Sequence, residues 1–472
     1  MTREGAVEHD LVVFVPGFLG SRLTRDGRDV WAECSDALLR SRPSARALAD
    51  VALPPGLGDE PPEDRFRLTA DALTTEPDSM PGLLSCMGYS GIRAALGDPV
   101  DGQYVPFAHD WRLSHRLLAE ELRARVQREL DRWSEQVDAY YPDRPDDPKV
   151  LLVCHSTGGL IGRHYLECLG GRTTARALVT LGTPHQGVAR AARLLAGNAV
   201  ADGGVPEASA LNAVLRELAL TLPSVGQLLP VVEDAVRVAG RSRPRALTDR
   251  RYPVPGLPAG LVEDAFAFHR EFSQAREAHR RTDAGGRLPY EVYCMASTAR
   301  PTVRGIGLSA DGLHLEDGGD GLLGPGDGTV PRESAVPEWT LPDRVEVLWT
   351  GVPHGAMATA AALGERLAAI RKGLPVTGML AGHDHITLHA PSEAVAGRPF
   401  VAQVLGVNLH ARRPRAVMRR VGARTREEIA FAPDPAGRFR AELRGGPGRW
   451  VVEAVVEQPN GADHKVVTLY SA

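Results

Sequence analysis

The stretch Val150-Leu-Leu-Val-Cys-His-Ser-Thr-Gly-Gly-Leu160 sets four apolar residues, Val150 to Val153, almost directly against a serine, Ser156, and a glycine pair that opens a helical pattern. A short unbroken apolar run that passes at once into a helix reads as a strand buried on both faces and followed by its covering helix. A serine in that corner is held in a strained turn, and residues two positions to either side must be small so that their Cβ atoms do not collide. Gly158 meets this need on one side, while Cys154 stands on the other where a glycine is expected. The competing reading is a serine that caps an ordinary helix.

Outward from this corner, short aliphatic runs alternate with helical patterns through the first 370 or so residues. Leu11 to Val15, Tyr104 to Phe107, Ala177 to Leu181, Tyr290 to Met295 and Val345 to Thr350 read as further strands. Between the second and the central strand, Leu117, Leu118, Leu122, Val126, Leu130, Trp133 and Val137 recur at three- and four-residue steps, which predicts a long amphipathic helix. Strands alternating with helices predict the α/β class with a central, mostly parallel sheet. The hundred or so residues between Leu181 and Tyr290 exceed what the sheet can absorb and predict a helical cap or lid inserted at about 187–285. After Gly373 the runs Ile386 to His389, Phe400 to Val404, Arg438 to Leu443, Trp450 to Val456 and Val466 to Tyr470 alternate with turn signals and no helices. That pattern predicts a small all-β, sandwich-like domain at 380–472, beside a first domain at 1–375.

A chain of 472 residues suits this two-domain division better than one core. Charged residues at 24% and hydrophobic ones at 43% exclude wholesale disorder. The net charge of −4 is unevenly spread, since residues 376–472 carry 13 Lys or Arg against 9 Asp or Glu, but neither part demands nucleic acid. No run approaches the roughly 20 apolar residues that span a bilayer. The first apolar run is broken by Pro16 and Gly17, and reads as a strand, not a signal peptide. Five cysteines at scattered positions without metal-ligand spacing fit reduced thiols in a cytoplasm.

A serine hydroxyl is a poor nucleophile until an imidazole takes its proton, and the imidazole needs a carboxylate to fix its tautomer. In a sheet of this kind the chain order is serine, acid, histidine. Gly326-Asp-Gly-Thr-Val-Pro331 offers Asp327 on a glycine-rich loop, and Trp349-Thr-Gly-Val-Pro-His-Gly355 offers His354 just past the last strand. Asp317 and Asp320 are rival acids; Asp327 also suits a simple turn, and His354 a helix start. Charge developing on a carbonyl oxygen needs two backbone N–H donors. Thr157 supplies one, and Phe18, in Pro16-Gly-Phe-Leu-Gly-Ser21, supplies the second.

Taken in order, Pro16-Gly-Phe-Leu-Gly-Ser21, Asp110-Trp-Arg112, His155-Ser-Thr-Gly-Gly159, Gly182-Thr-Pro-His-Gln-Gly187 and Gly326-Asp-Gly-Thr-Val-Pro331 followed by His354 resemble the lecithin:cholesterol acyltransferase and lysosomal phospholipase A2-like family of α/β-hydrolases, in its bacterial form. Leu222-Pro-Ser-Val-Gly-Gln-Leu-Leu-Pro230 in the cap adds a weaker match. The resemblance spans about residues 10 to 370. It implies an α/β-hydrolase fold and an acyl-enzyme mechanism on acyl ester or lipid substrates, with transient contact at a membrane surface. It also implies Ser156, Asp327 and His354 as the catalytic set and Phe18 and Thr157 as oxyanion donors. Trp31 is the candidate acyl-contacting aromatic of an N-terminal lid loosely closed by Cys34 and Cys86, and Leu19, Trp111 and Leu228 are expected beside the substrate.

No cofactor and no metal is called for. His383, His385 and His389 on one strand face read as surface histidines before they read as metal ligands. The seven arginines between Arg412 and Arg426 read as a solvated face before an anionic-lipid contact. Asp317-Gly-Gly-Asp-Gly321 is a single copy of a calcium-repeat-like turn. Three functions compete: carboxylic-ester hydrolysis, acyl transfer to an alcohol with the same residues, and binding or signalling by a degenerate hydrolase core.

Overall fold

The computed structural model describes residues 8–31, 50–75, 78–80, 84–86, 88–198, 206–283, 288–309, 312–314, 322–337, 346–372, 387–389, 393–394, 396–405, 414–420, 425–433, 439–458 and 461–471. Six strands, β1 (Leu11–Val15), β2 (Tyr104–Pro106), β3 (Val150–His155), β4 (Ala175–Leu181), β5 (Glu291–Ser297) and β6 (Glu346–Thr350), form one sheet. Their spatial order is β6-β5-β4-β3-β1-β2, and every neighbouring pair is parallel. Each residue of β1 and β3 is buried, which is why these strands read as unbroken apolar runs. Val13, Val15, Leu152, Cys154 and Cys294 face one core; Phe14, Val153, Val179 and Met295 face the other.

On the first face lie α1 (His115–Gln136) and α2 (Gly158–Cys168), through Leu118, Leu122, Val126, Leu160, Ile161 and Leu166. The hydroxyl of Ser114 starts α1 by accepting the Arg116 N–H. The second face is covered by α6 (Ala361–Arg371), whose Leu363, Leu367 and Ile370 join that core. Chain direction turns at the β1–β3 boundary: from β1 the chain moves outward to β2, then returns across to β3. Loops leaving β1 and β3 therefore diverge at the carboxyl ends of the strands, the place where open α/β sheets set their ligand sites.

The segment between β4 and β5 holds α3 (Ala189–Leu195), α4 (Pro206–Ala219) and α5 (Ala259–Thr282). Its apolar residues are packed inward, Leu228 included. Leu215, Leu218, Leu228 and Leu229 are at most 3% exposed and belong to the same core as β1 and β3, as do Phe268 and Phe272 of α5. Apolar side chains that would line an open acyl pocket are closed against the sheet face instead, because contact with packed carbon is preferred to contact with water. A cavity of about 600 Å³ beside this segment is lined by Gln186, Val231, His269, Arg270, Arg304 and Glu333 among others, and Ser156 is not in its wall.

Beyond position 386 the described strands form two sheets, of four and five strands, antiparallel except where Glu393–Ala394 pairs in parallel with Gly461–Ser471. Phe400, Ala402 and Val404 of one sheet share a core with Met418, Val452 and Ala454 of the other, and among the described residues none before 400 enters it. Strands Arg415–Arg420 and Arg426–Ala430 were hidden by their charge: Ala416 and Met418 point into the core while Arg415 is exposed. The arginine run is thus in part the outer face of a sheet. Also unforeseen is the hairpin of Ser21–Arg25 with Arg28–Trp31, which turns on Asp26 and Gly27, both at positive φ. Cys34, Asp317, Asp320, His383 and His385 lie outside the described residues, and for Cys86 and His389 only the backbone is described. Among the described residues no helix is long and apolar enough to cross a membrane.

The packing carries an unusual load of neutral histidine. Burial first of all lowers His109 to about 4, His115 to about 3, His155 to about 3 and His269 to about 4, and takes His185 well below its ordinary value. In the fold these rings stay neutral, whereas the unfolded chain takes protons as pH falls through about 6.5. Unfolding therefore binds protons between about pH 6.5 and 4, and stability is present above that window and lost on descending through it. Each ring contributes up to about 1.4 kcal/mol per pH unit, so the five together steepen the loss to roughly 6 kcal/mol per unit near pH 5. Urea midpoints measured from pH 7 to pH 5 are expected to fall, with an uptake approaching five protons at the acid end; midpoints flat across that range would contradict the burial of these rings.

Candidate active site

Ser156 occupies the corner between β3 and α2 with φ at +53°, a left-handed conformation that costs a non-glycine residue on the order of 1–3 kcal/mol. Its N–H donates to the carbonyl of Leu181 at 2.9 Å, and its own carbonyl accepts from the Gly159 N–H at 3.0 Å. The surrounding glycines are set by contact. A Cβ on Gly158 would lie 2.4 Å from the Val15 carbonyl oxygen, and one on Gly17 would lie 2.7 Å from the Ser156 Cβ. Cys154 is accommodated by a glycine the turn pattern does not include: a Cβ on Gly162, one turn into α2, would meet its Sγ at 2.8 Å. Small size is required where β3 meets α2, and here the helix supplies it.

His354 follows β6 through Pro353 and opens a short 3-10 helix. Its Nε2 lies 2.9 Å from Ser156 Oγ, and its Nδ1 lies 2.8 Å from Asp327 Oδ2. A carboxylate oxygen only accepts, so Nδ1 carries the hydrogen and Nε2 is left bare toward the serine hydroxyl. Asp327 is fixed in turn. Its Oδ1 accepts the N–H groups of Thr329 at 2.8 Å and Val330 at 2.6 Å, and its carbonyl accepts the His354 N–H at 3.0 Å. The antiparallel pair Arg300–Val303 and Leu323–Gly326 delivers Asp327 to this place. All three residues are 2% exposed.

After β1 the chain turns at once. Gly20 N–H donates to the Gly17 carbonyl at 3.0 Å across a turn whose third residue, Leu19, has φ at +64°. Among the described residues the backbone N–H groups of Phe18 and Thr157 donate to no protein acceptor. Phe18 packs on Trp111 with ring centroids 4.8 Å apart, and Trp111 on Trp31 at 5.1 Å. Phe18, Leu19, Trp31, Trp111 and Leu228 are all at most 1% exposed, so the residues expected beside substrate are closed in this conformation. Asp110 and Arg112 hold the fold together. Arg112 is paired with Asp110 at 2.6 Å and donates to the carbonyls of Val51 and Phe66, stapling that segment to the sheet. Sequence reasoning missed Tyr89 and His155, both of which hydrogen-bond into this cluster.

No protein-family model and no curated protein matches the chain. Among solved structures, one described as the crystal structure of the Tle4-Tli4 complex aligns at 15% identity with a TM-score of 0.48, covering 79% of this chain and 99% of that one. The mature form of the Bacillus licheniformis lipase BlEst2 aligns at 12% identity with a TM-score of 0.33, covering 79% and 94%. Its propeptide form aligns at 10% identity with a TM-score of 0.34, covering 99% and 94%.

Proposed function

We propose that this chain is a serine hydrolase that cleaves carboxylic esters through an acyl-enzyme on Ser156. The observation that carries the reading is the single buried proton path from Ser156 Oγ to His354 Nε2, with Nδ1 held by Asp327. In the reaction Ser156 Oγ attacks the ester carbonyl while His354 Nε2 takes its proton, and Asp327 stabilises the imidazolium that results. The N–H groups of Phe18 and Thr157 hold the oxyanion, and collapse expels the alkoxide as His354 returns the proton to it. Water then repeats the sequence on the acyl-serine. The apolar residues Phe18, Leu19, Trp31 and Trp111 behind the loop after β1 favour an acyl chain over a polar acid part, and so a lipid or other acyl ester as substrate.

The experiment is turnover of p-nitrophenyl esters from acetyl to palmitoyl, with and without an added alcohol. Hydrolysis, with a preference for some acyl length, is expected; a dominant transesterified product would move the assignment to acyl transfer. An absence of turnover at every chain length would argue against both. We further propose that the hydrolase part, residues 1–375, is complete without the C-terminal sheets, which keep a core of their own. Truncation after Gly373 is expected to leave a folded protein with ester turnover within a few-fold of the full chain. A truncated protein that keeps its circular dichroism and loses turnover would show that the sheets complete the site.

A further inference from the structure

We propose that Tyr89 is a positioning residue which, acting with His155, fixes the loop that carries the Phe18 N–H relative to the segment that carries His354. The proposal deepens, and rests on, the reading of Ser156 as nucleophile.

Hydrogen-bond chemistry assigns each proton. His155 Nε2 lies 2.9 Å from the carbonyl oxygen of His354, which can only accept, so Nε2 carries the hydrogen. The ring is fully buried and neutral, leaving Nδ1 bare. Tyr89 Oη, 2.8 Å from that Nδ1, must therefore donate to it. The same phenol oxygen accepts the N–H of Gly17 at 2.9 Å. An ordered chain follows: Gly17 N–H to Tyr89 Oη–H, to His155 Nδ1, and from Nε2–H to the His354 carbonyl. Its first member adjoins the expected oxyanion donor, and its last is the expected base.

What Tyr89 controls is the aim of one peptide group. The Gly17 carbonyl accepts from the Gly20 N–H, and in a trans peptide the Phe18 N–H points the opposite way. With glycine at 17 and 20 and a left-handed residue at 19, this turn has conformational alternatives that ordinary side chains would forbid. Tyr89 touches both ends. Its hydroxyl holds Gly17, and its ring lies so close to Gly20 that a Cβ there would stand 2.9 Å from Cε2. Tyr89 is itself anchored, its N–H donating to the Thr74 carbonyl at 2.8 Å and its ring packing on Phe14.

Full loss of an oxyanion donor lowers kcat by about 100- to 1000-fold, so a donor left mis-aimed part of the time should lower it by about 10- to 100-fold. Tyr89→Phe is expected to do this, per site titrated with a fluorophosphonate, with KM within about 2-fold. Affinity for a trifluoromethyl ketone, whose adduct with Ser156 carries an oxyanion, should fall by the same factor as kcat/KM, while affinity for the matching secondary alcohol stays constant. His155→Leu should lower kcat similarly, and the double variant no further, because both break one chain. A purely structural role predicts lowered Tm, additive losses and an unchanged ketone-to-alcohol ratio, and either of the last two results overturns the proposal. If the variants do not fold, the wild type decides. The ¹⁵N shifts of His155 should show Nε2 protonated and Nδ1 bare from pH 5 to 8, and the opposite tautomer or a cation would overturn it. A wild-type protein that fails to label at Ser156 would instead remove the nucleophile reading, and this proposal with it.

Discussion

Ser156→Ala and His354→Ala are each expected to lower kcat for p-nitrophenyl esters by about 10⁴- to 10⁶-fold, with a Tm within a few degrees of the wild type. The size follows from the way the two side chains act. Without the Oγ there is no acyl acceptor, and without Nε2, 2.9 Å away, the hydroxyl keeps its proton. Ser156→Ala leaves no buried charge, and in His354→Ala the buried Asp327 carboxylate loses its imidazole partner but keeps the Thr329 and Val330 N–H groups. Ser156→Ala keeps the left-handed backbone that the Leu181 and Gly159 hydrogen bonds hold. The adjacent His155 is no fallback base, since its Nδ1 is committed to Tyr89 and its Nε2 to the His354 carbonyl. The double variant should be no slower than either single one, because the pair works as a unit. Steady-state kinetics on purified protein checks this, and near-wild-type turnover by either variant would remove the assignment.

Asp327→Asn is expected to lower kcat by about 10³- to 10⁴-fold, a loss arising from one misplaced proton. Oδ1 accepts two backbone N–H groups, from Thr329 and Val330, so an asparagine must keep its carbonyl oxygen there. Its amide nitrogen then faces His354 Nδ1 in place of Oδ2. An N–H donor at that point favours a bare Nδ1 and moves the imidazole hydrogen to Nε2, the position that must accept from Ser156. The pH–rate profile gives a second readout: activity should recover partly at high pH, where hydroxide or a deprotonated serine replaces the base. A variant within 10-fold of wild type at pH 7 would return the acid role to a residue such as Asp320.

The parts of the fold legible in the sequence were those whose causes are local. β1 and β3 show themselves because residues buried on both faces must all be apolar, and the corner at Ser156 because a strained turn needs Gly158. Asp327 and His354 were candidates by chain order and by their place along the sheet, although no local feature says they meet across 27 residues. What stayed hidden depends on distant contacts or on obscured periodicity. Nothing in Gly88-Tyr-Ser-Gly91 announces that a phenol will sit between Gly17 and His155, 72 and 66 residues away. Gly162 makes room for Cys154 from within an ordinary helical pattern. The arginines at 415 and 419 obscured a strand whose inward residues, Ala416 and Met418, carry the period-two signal. The length of the segment between β4 and β5 pointed to helices outside the sheet, but length does not say whether their buried leucines meet a substrate or a sheet.

The most direct test of an acyl-enzyme at Ser156 is to treat the full chain with a fluorophosphonate, digest it, and locate the adduct by mass spectrometry. The expected result is one equivalent of phosphonate on the peptide that contains Ser156, abolished in Ser156→Ala and slowed by orders of magnitude in His354→Ala. An unlabelled wild-type protein that is folded, or an adduct on any residue other than Ser156, would contradict it.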